Sequence, residues 1–165
     1  MAVRVPDRKQ IKDLFEGLLG RDVTVGDAAP VPLDSRPRPT TAVYVDDKNQ
    51  LSSVVLMDFP LTAWAGAALA LLPRGGVEDA IDERVLPASL LENAAELLNV
   101  LAAPICAAGG VHQRLYQTFG PTELPPSDVL GRSAQLGARE DVALAIHGYG
   151  AGSLSIISVV SAPDL

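Results

Sequence analysis

Leu90-Leu91-Glu92-Asn93-Ala94-Ala95-Glu96-Leu97-Leu98-Asn99-Val100-Leu101 separates into two faces when wound at about 100° per residue. Leu90, Ala94, Leu97 and Leu101 stack on one side, while Glu92, Glu96 and Asn99 follow one another along the other at spacings of four and three. The apolar side needs a core to lie against. The polar side can carry a carboxylate and a carboxamide together into a partner's site. Any amphipathic helix keeps glutamates and asparagines on its solvated face. This stripe, however, is narrow and has no lysine or arginine to pair with. Asparagine is also a poor interior helix residue, so Asn99 has no propensity reason to be there.

The surrounding chain supplies the layer on which this helix packs. The helix is expected over residues 88–107, with Ser89 or a neighbour as its cap and Pro104 as a bend. Upstream, Pro60 opens a small-residue helix at 61–72, which Pro73, Gly75 and Gly76 end. Residues 40–45 and 51–57 are β-branched and apolar and read as a hairpin joined through 46–50. Residues 7–20 read as a short helix, with Asp7 and Gln10 as a capping box and Gly20 at its end. Between them, Pro30, Pro32, Pro37 and Pro39 mark 26–39 as loop. Downstream, 111–119 reads as a strand, 120–139 is rich in turn residues, and 141–147 with 153–160 form a closing hairpin. The expected fold class is α/β of the α+β type: a mixed, mainly antiparallel sheet with long helices packed on it. One domain over 1–165 is expected, an N-terminal helix and Pro-rich loop (1–39) followed by the core (40–160). No sequence repeat is evident.

Composition narrows the function classes. Hydrophobic residues make up 48% of the 165 and charged ones 20%, which is globular usage. A formal charge of −7 offers no attraction to nucleic acid or to anionic lipid, so neither is expected as a partner. The longest uncharged runs fall short of a membrane span of about 20 residues. Nothing at the N-terminus marks a secretory signal, and the single Cys106 suits a reducing compartment. A cytoplasmic location is expected.

Several tempting motifs fail on context. Gly148-Tyr149-Gly150-Ala151-Gly152 resembles part of a dinucleotide fingerprint, but it joins two strands with no helix after it, and reads as hairpin glycines. His112, His147 and Cys106 do not make a zinc site, which wants four ligands at recognisable spacing. Arg74, Arg84, Arg114, Arg132 and Arg139 are scattered along the chain and suggest no phosphate clamp.

The helix and its setting resemble the CheC/CheX/FliY-type phosphatases of chemotaxis. Their signature is an Asp or Ser, three residues, Glu, two residues, Asn, and a proline some twenty-odd residues later. Glu96-Leu97-Leu98-Asn99 matches the Glu-x-x-Asn core, and Pro121 lies 22 residues beyond Asn99. The hairpin followed by a small-residue helix is similar too, and the likeness runs from about residue 40 to 160. Glu92 stands where the family has Asp or Ser, and Ala103 where a glycine is common. The helix at 61–72 has no Glu-x-x-Asn, so the resemblance is to the single-motif CheX type.

The resemblance implies catalytic roles for Glu96 and Asn99 and partner contacts at Glu92 and Ala103. The substrate would be the aspartyl phosphate of a CheY-like response regulator. Asn99 would orient the attacking water, and Glu96 would pair with the regulator's lysine. No cofactor would be bound by this chain, because the Mg²⁺ is expected on the regulator. A homodimer is also implied. The alternative on the same scaffold is a non-catalytic adaptor that docks a regulator or a flagellar switch component.

Overall fold

Asp7 caps the first helix, α1 (Arg8–Leu19), by accepting from the Gln10 N–H while the Gln10 side chain accepts from the Asp7 N–H. Gly20 ends it at φ 66°, in the left-handed region that glycine enters without penalty. The computed structural model describes residues 5–159. After α1 come β1 (Val23–Asp27), β2 (Thr40–Val45), β3 (Leu51–Met57), α2 (Phe59–Leu69), α3 (Arg74–Glu83), α4 (Ala88–Gly109), β4 (Arg114–Phe119), α5 (Ser127–Ser133), β5 (Arg139–Ile146) and β6 (Ala151–Ser158).

The strands form one six-stranded sheet in the order β1-β5-β6-β3-β2-β4, and every pairing is antiparallel. The expected α+β architecture holds, with a purer sheet than the mixed one expected. Exchanging β1 with β4, β2 with β5 and β3 with β6 reverses this order onto itself. The chain is therefore two topologically equivalent halves, α1-β1-β2-β3 and α4-β4-β5-β6, joined by α2 and α3. The sequence shows no repeat because only the path is duplicated, not the side chains. The topological counterpart of α4 is α1, not the helix after the hairpin.

Two apolar clusters flank the sheet. The larger joins α1, α2 and α4 to one face through residues such as Phe15, Leu61, Trp64, Leu97 and Ile156. The smaller lies on the other face, where Val31 from the Pro-rich segment and Val129 from α5 cover Val43, Val54 and Leu56. The Val31 N–H donates to Ser155 Oγ at 3.0 Å. Residues 28–39 thus cover one half of the second face as α5 covers the other.

The placement of α4 depends on three contacts. Leu90, Ala94, Leu97, Leu98, Leu101 and Ile105 are buried, as the apolar spacing requires. Tyr44 Oη donates to the Leu98 carbonyl at 2.5 Å, tying the helix to β2, and burial pushes this hydroxyl far above its ordinary pKa. Gly66 of α2 lies against the Leu90 backbone so closely that a Cβ there would sit 2.4 Å from the Leu90 carbonyl oxygen. Asn93 Nδ2 then donates to the Gly66 carbonyl at 3.1 Å.

The start of α2 is fixed by Asp58. Its carboxylate accepts from the Leu61 N–H at 2.9 Å, capping the helix, and from the Ser153 N–H at 2.9 Å, joining it to β6. Burial pushes this carboxyl above its ordinary range, against the two N–H groups that pull it down. A carboxyl raised in the folded state stabilises most when protonated. Its contribution is full below the ordinary value of 3.8 and is lost as the pH rises through the raised one. Asp58→Asn, which cannot ionise, is expected to gain on the wild type as the pH climbs from below 3.8 towards neutral. Paired urea titrations at acid and neutral pH check this; a difference that stays flat or shrinks contradicts it.

Several element boundaries differ from expectation. The second helix runs Phe59–Leu69 rather than 61–72, because Asp58 supplies the cap two residues before the expected opening at Pro60. Gly75 and Gly76 do not end structure but lie in the first turn of α3, whose Val77 and Ala80 are buried. Strand β1 begins at Val23, ahead of the segment read as loop, and runs into it at Gly26 and Asp27, while helix α5 falls inside the turn-rich stretch 120–139. Helix α4 runs through Pro104 to Gly109 and starts from Pro87 with no side-chain cap. Strand β4 begins only at Arg114, and β5 and β6 each begin and end slightly earlier than expected, at Arg139–Ile146 and Ala151–Ser158. Val160, the expected end of the last strand, lies outside the described residues. By length and composition α4 could cross a membrane, but its leucine face packs into the core and Glu92 and Glu96 interrupt the other.

Candidate functional site

With Leu90, Leu97, Leu98 and Leu101 buried, α4 presents Glu92, Glu96, Asn99 and Ala103 to solvent, all four exposed. Glu96 and Asn99 are three residues apart on a helix, which puts their Cβ atoms about 5–6 Å from each other. Among the described residues no ion pair engages Glu92 or Glu96. Val100, 42% exposed, widens the face with an apolar patch. Pro104 has no N–H to offer the Val100 carbonyl, so the backbone hydrogen-bond ladder is broken one turn beyond Asn99. The arrangement is a carboxylate and a carboxamide side by side on a rigid, accessible helix.

Pro121 lies on the β4–α5 loop and lines a cleft of 520 Å³ together with Ala88 and Leu91 of α4. The structure therefore brings Pro121 to the first turns of the helix, into the cleft that Ala88 and Leu91 line and Asn99 does not. The same cleft is lined by Arg36 and Arg84, which the sequence leaves 48 residues apart. Its floor is held by Gly120, whose N–H donates to Glu123 Oε1 at 2.9 Å and where a Cβ would meet Leu91 at 2.8 Å.

The other candidates resolve into structural roles. Gly148 supplies the left-handed turn at φ 83°, while Gly150 and Gly152 make room for Trp64 and for Leu61 with Asp58. Cys106 is half-buried, with Sγ 3.1 Å from the Gln113 N–H and 3.2 Å from its carbonyl. His112 pairs with Asp47 at 2.7 Å on the surface, and His147 is exposed. Among the described residues no three His, Cys, Asp or Glu gather into a metal-binding group. Helix α1, the counterpart of α4, has no matching pair: Glu16 accepts from the Val23 N–H at 3.0 Å, and Leu19 stands three residues on. Asn93 and Gly66, which position the site helix, escaped the sequence reading. Gly66 alone left a trace, as a glycine in the middle of an alanine-rich helix.

No protein-family model matches the sequence, and no curated protein does. Solved structures do. The FliM middle domain from H. pylori superposes with a TM-score of 0.60 at 8% identity, covering 91% of this chain and 83% of that one. CheX from Vibrio vulnificus gives 0.52 at 10% identity, with 90% of each chain covered. Thermotoga maritima FliY gives 0.51 at 14% identity, covering 90% and 82%. The fold is of the CheC/CheX/FliY type. At these identities the likeness is one of architecture. The CheX/FliM scaffold places α4 against its sheet, and the chemistry of the exposed face must be read from this chain's own side chains.

Proposed function

We propose that this protein is a phosphatase acting on the aspartyl phosphate of a CheY-like response regulator. The observation that carries this is the exposure of Glu96 and Asn99 together on the solvent face of α4. An aspartyl phosphate is a mixed anhydride already prone to hydrolysis, so little covalent work is required. What accelerates the reaction is a water held in line with the phosphorus. The Asn99 carboxamide orients that water by accepting from it or donating to it. An amide suits this role because a carboxylate beside a phosphoryl group would repel it. Glu96, one turn earlier, pairs with a lysine of the regulator and fixes the approach. Glu92 and Ala103 lie at the two ends of the contact. The Mg²⁺ comes with the regulator and neutralises phosphoryl charge there. We place the protein in the cytoplasm as a single-domain homodimer; a monomer mass by light scattering contradicts the dimer.

The test is the lifetime of a purified, phosphorylated receiver domain with and without substoichiometric protein. Catalysis shortens it with multiple turnovers. Glu96→Gln should raise KM about tenfold and leave kcat little changed, because a docking ion pair is lost while the water's orienting group stays. A wild type that binds the receiver but leaves the lifetime unchanged supports the adaptor reading instead. The FliM middle domain, which shares the scaffold, is the kind of module that reading describes.

A further inference from the structure

The cleft at the start of α4 combines Pro121 with features that the phosphatase reading does not use. Arg36 comes from the Pro-rich segment and Arg84 from the turn between α3 and α4, where it caps the C-terminus of α3 at φ 59°. Both are exposed, and among the described residues neither is in an ion pair. Arg36 is held in place through its own loop, donating to the Asp34 and Ser35 carbonyls at 3.3 Å each. Between the arginines the wall is apolar, with Val85, 63% exposed, beside Leu86, Leu91 and Pro121; the carboxylate that also lines the cleft, Glu123, accepts from the Gly120 N–H at 2.9 Å. The same two arginines also line a neighbouring cleft of 350 Å³ beside Phe59 and Pro60, so they form a basic ridge between two hollows.

This ridge stands out against the charge of the rest of the molecule. The chain carries a formal −7, and the adjacent face of α4 presents Glu92 and Glu96. An anionic partner approaching that face meets repulsion unless cations lie at its border. Arg36 and Arg84 are those cations, lining the cleft that Ala88 and Leu91 of α4 also line. We propose that the cleft takes a short segment of the partner protein in which carboxylates flank an apolar side chain. The carboxylates reach Arg36 and Arg84, and the apolar group fills the space beside Val85, Leu91 and Pro121. Arginine suits this because its planar fork binds a carboxylate through two parallel hydrogen bonds. The proposal rests on the reading that a partner docks on α4, but not on hydrolysis.

The experiment uses the intact protein, fluorescently labelled, on an array of short synthetic peptides that each contain one leucine or phenylalanine and vary in their number of aspartates and glutamates. Binding is expected to rise with carboxylate number, to weaken with added salt, and to fall about tenfold or more in R36E/R84E. Both side chains are exposed, so this variant should keep the wild-type thermal midpoint, which a melting curve checks. Asn99→Ala should bind the array as the wild type does. Signal that ignores carboxylate number, or that survives R36E/R84E, overturns the proposal. Array binding without any effect on receiver phosphate would leave the cleft standing and remove the phosphatase reading; the reverse pattern would do the opposite.

Discussion

Asn99→Ala is expected to reduce the dephosphorylation of the receiver about a hundredfold, the scale on which losing the orientation of a reacting group is felt. The same substitution should not weaken the fold. Asn99 is exposed on the middle of α4, and alanine is the better helix former by up to about 0.7 kcal/mol. The thermal midpoint should therefore stay level or rise slightly while turnover collapses. That opposite movement separates a functional asparagine from a structural one. A variant equally fast as the wild type would mean that water is placed by some other group, and the catalytic reading would fall. A variant that is slow but also badly destabilised would remove the claim that the side chain faces a partner and not the core.

Gly66→Ala is expected to be the most damaging single substitution for the fold. The added Cβ would stand 2.4 Å from the Leu90 carbonyl oxygen and 3.1 Å from its carbon. Both are backbone atoms, so no rotamer change can relieve the clash, and α2 and α4 must separate. Separation also stretches the hydrogen bond from Asn93 to the Gly66 carbonyl. Forcing a methyl into such a contact costs about 3 kcal/mol, or roughly 10 °C in Tm for a chain of this size. Gly17→Ala provides the control. Gly17 lies in α1 with nothing within 4 Å of where its Cβ would go, so alanine should stabilise by about 1 kcal/mol. If Gly66→Ala melts with the wild type, the close approach of the two helices is not what positions α4.

The sequence is explicit about elements whose cause is local. The capping box at Asp7 and Gln10, the hairpin strands β2 and β3, and the leucine stripe of α4 all follow from periodicity and capping within one segment. Elements that depend on distant partners were not visible. Strand β1 forms because β5 offers Val142 to Ile146 as partners for it, in a stretch that reads locally as the entry to a proline-rich loop. Helix α3 carries Gly75 and Gly76 in its first turn, poor helix formers that are held because Val77 and Ala80 are buried against the core. The pairing of the two halves could not be seen because it exists in the order of strands and not in repeated residues.

The site divides in the same way. Glu96 and Asn99 lie one turn apart on a single helix, so helical geometry alone fixes their relation. The Pro121 cleft joins residues from the Pro-rich segment, the α3–α4 turn and the β4–α5 loop. Arg84 read as one of several scattered arginines, and only the fold sets Arg36 beside it. A constellation drawn from three loops leaves no spacing signature in the chain.

On the proposed function, the exposed face of α4 receives a phosphorylated receiver domain. The most direct measurement is an NMR titration of the isotopically labelled protein with a receiver held in its active form by beryllofluoride and Mg²⁺. Backbone shifts are expected to centre on Glu92, Glu96, Asn99 and Ala103, to extend to Pro121's neighbours Gly120 and Thr122, and to be much weaker with the unactivated receiver. Shifts confined to the opposite sheet face around Val43, Val54 and Val129, or none with any active receiver tested, would contradict it.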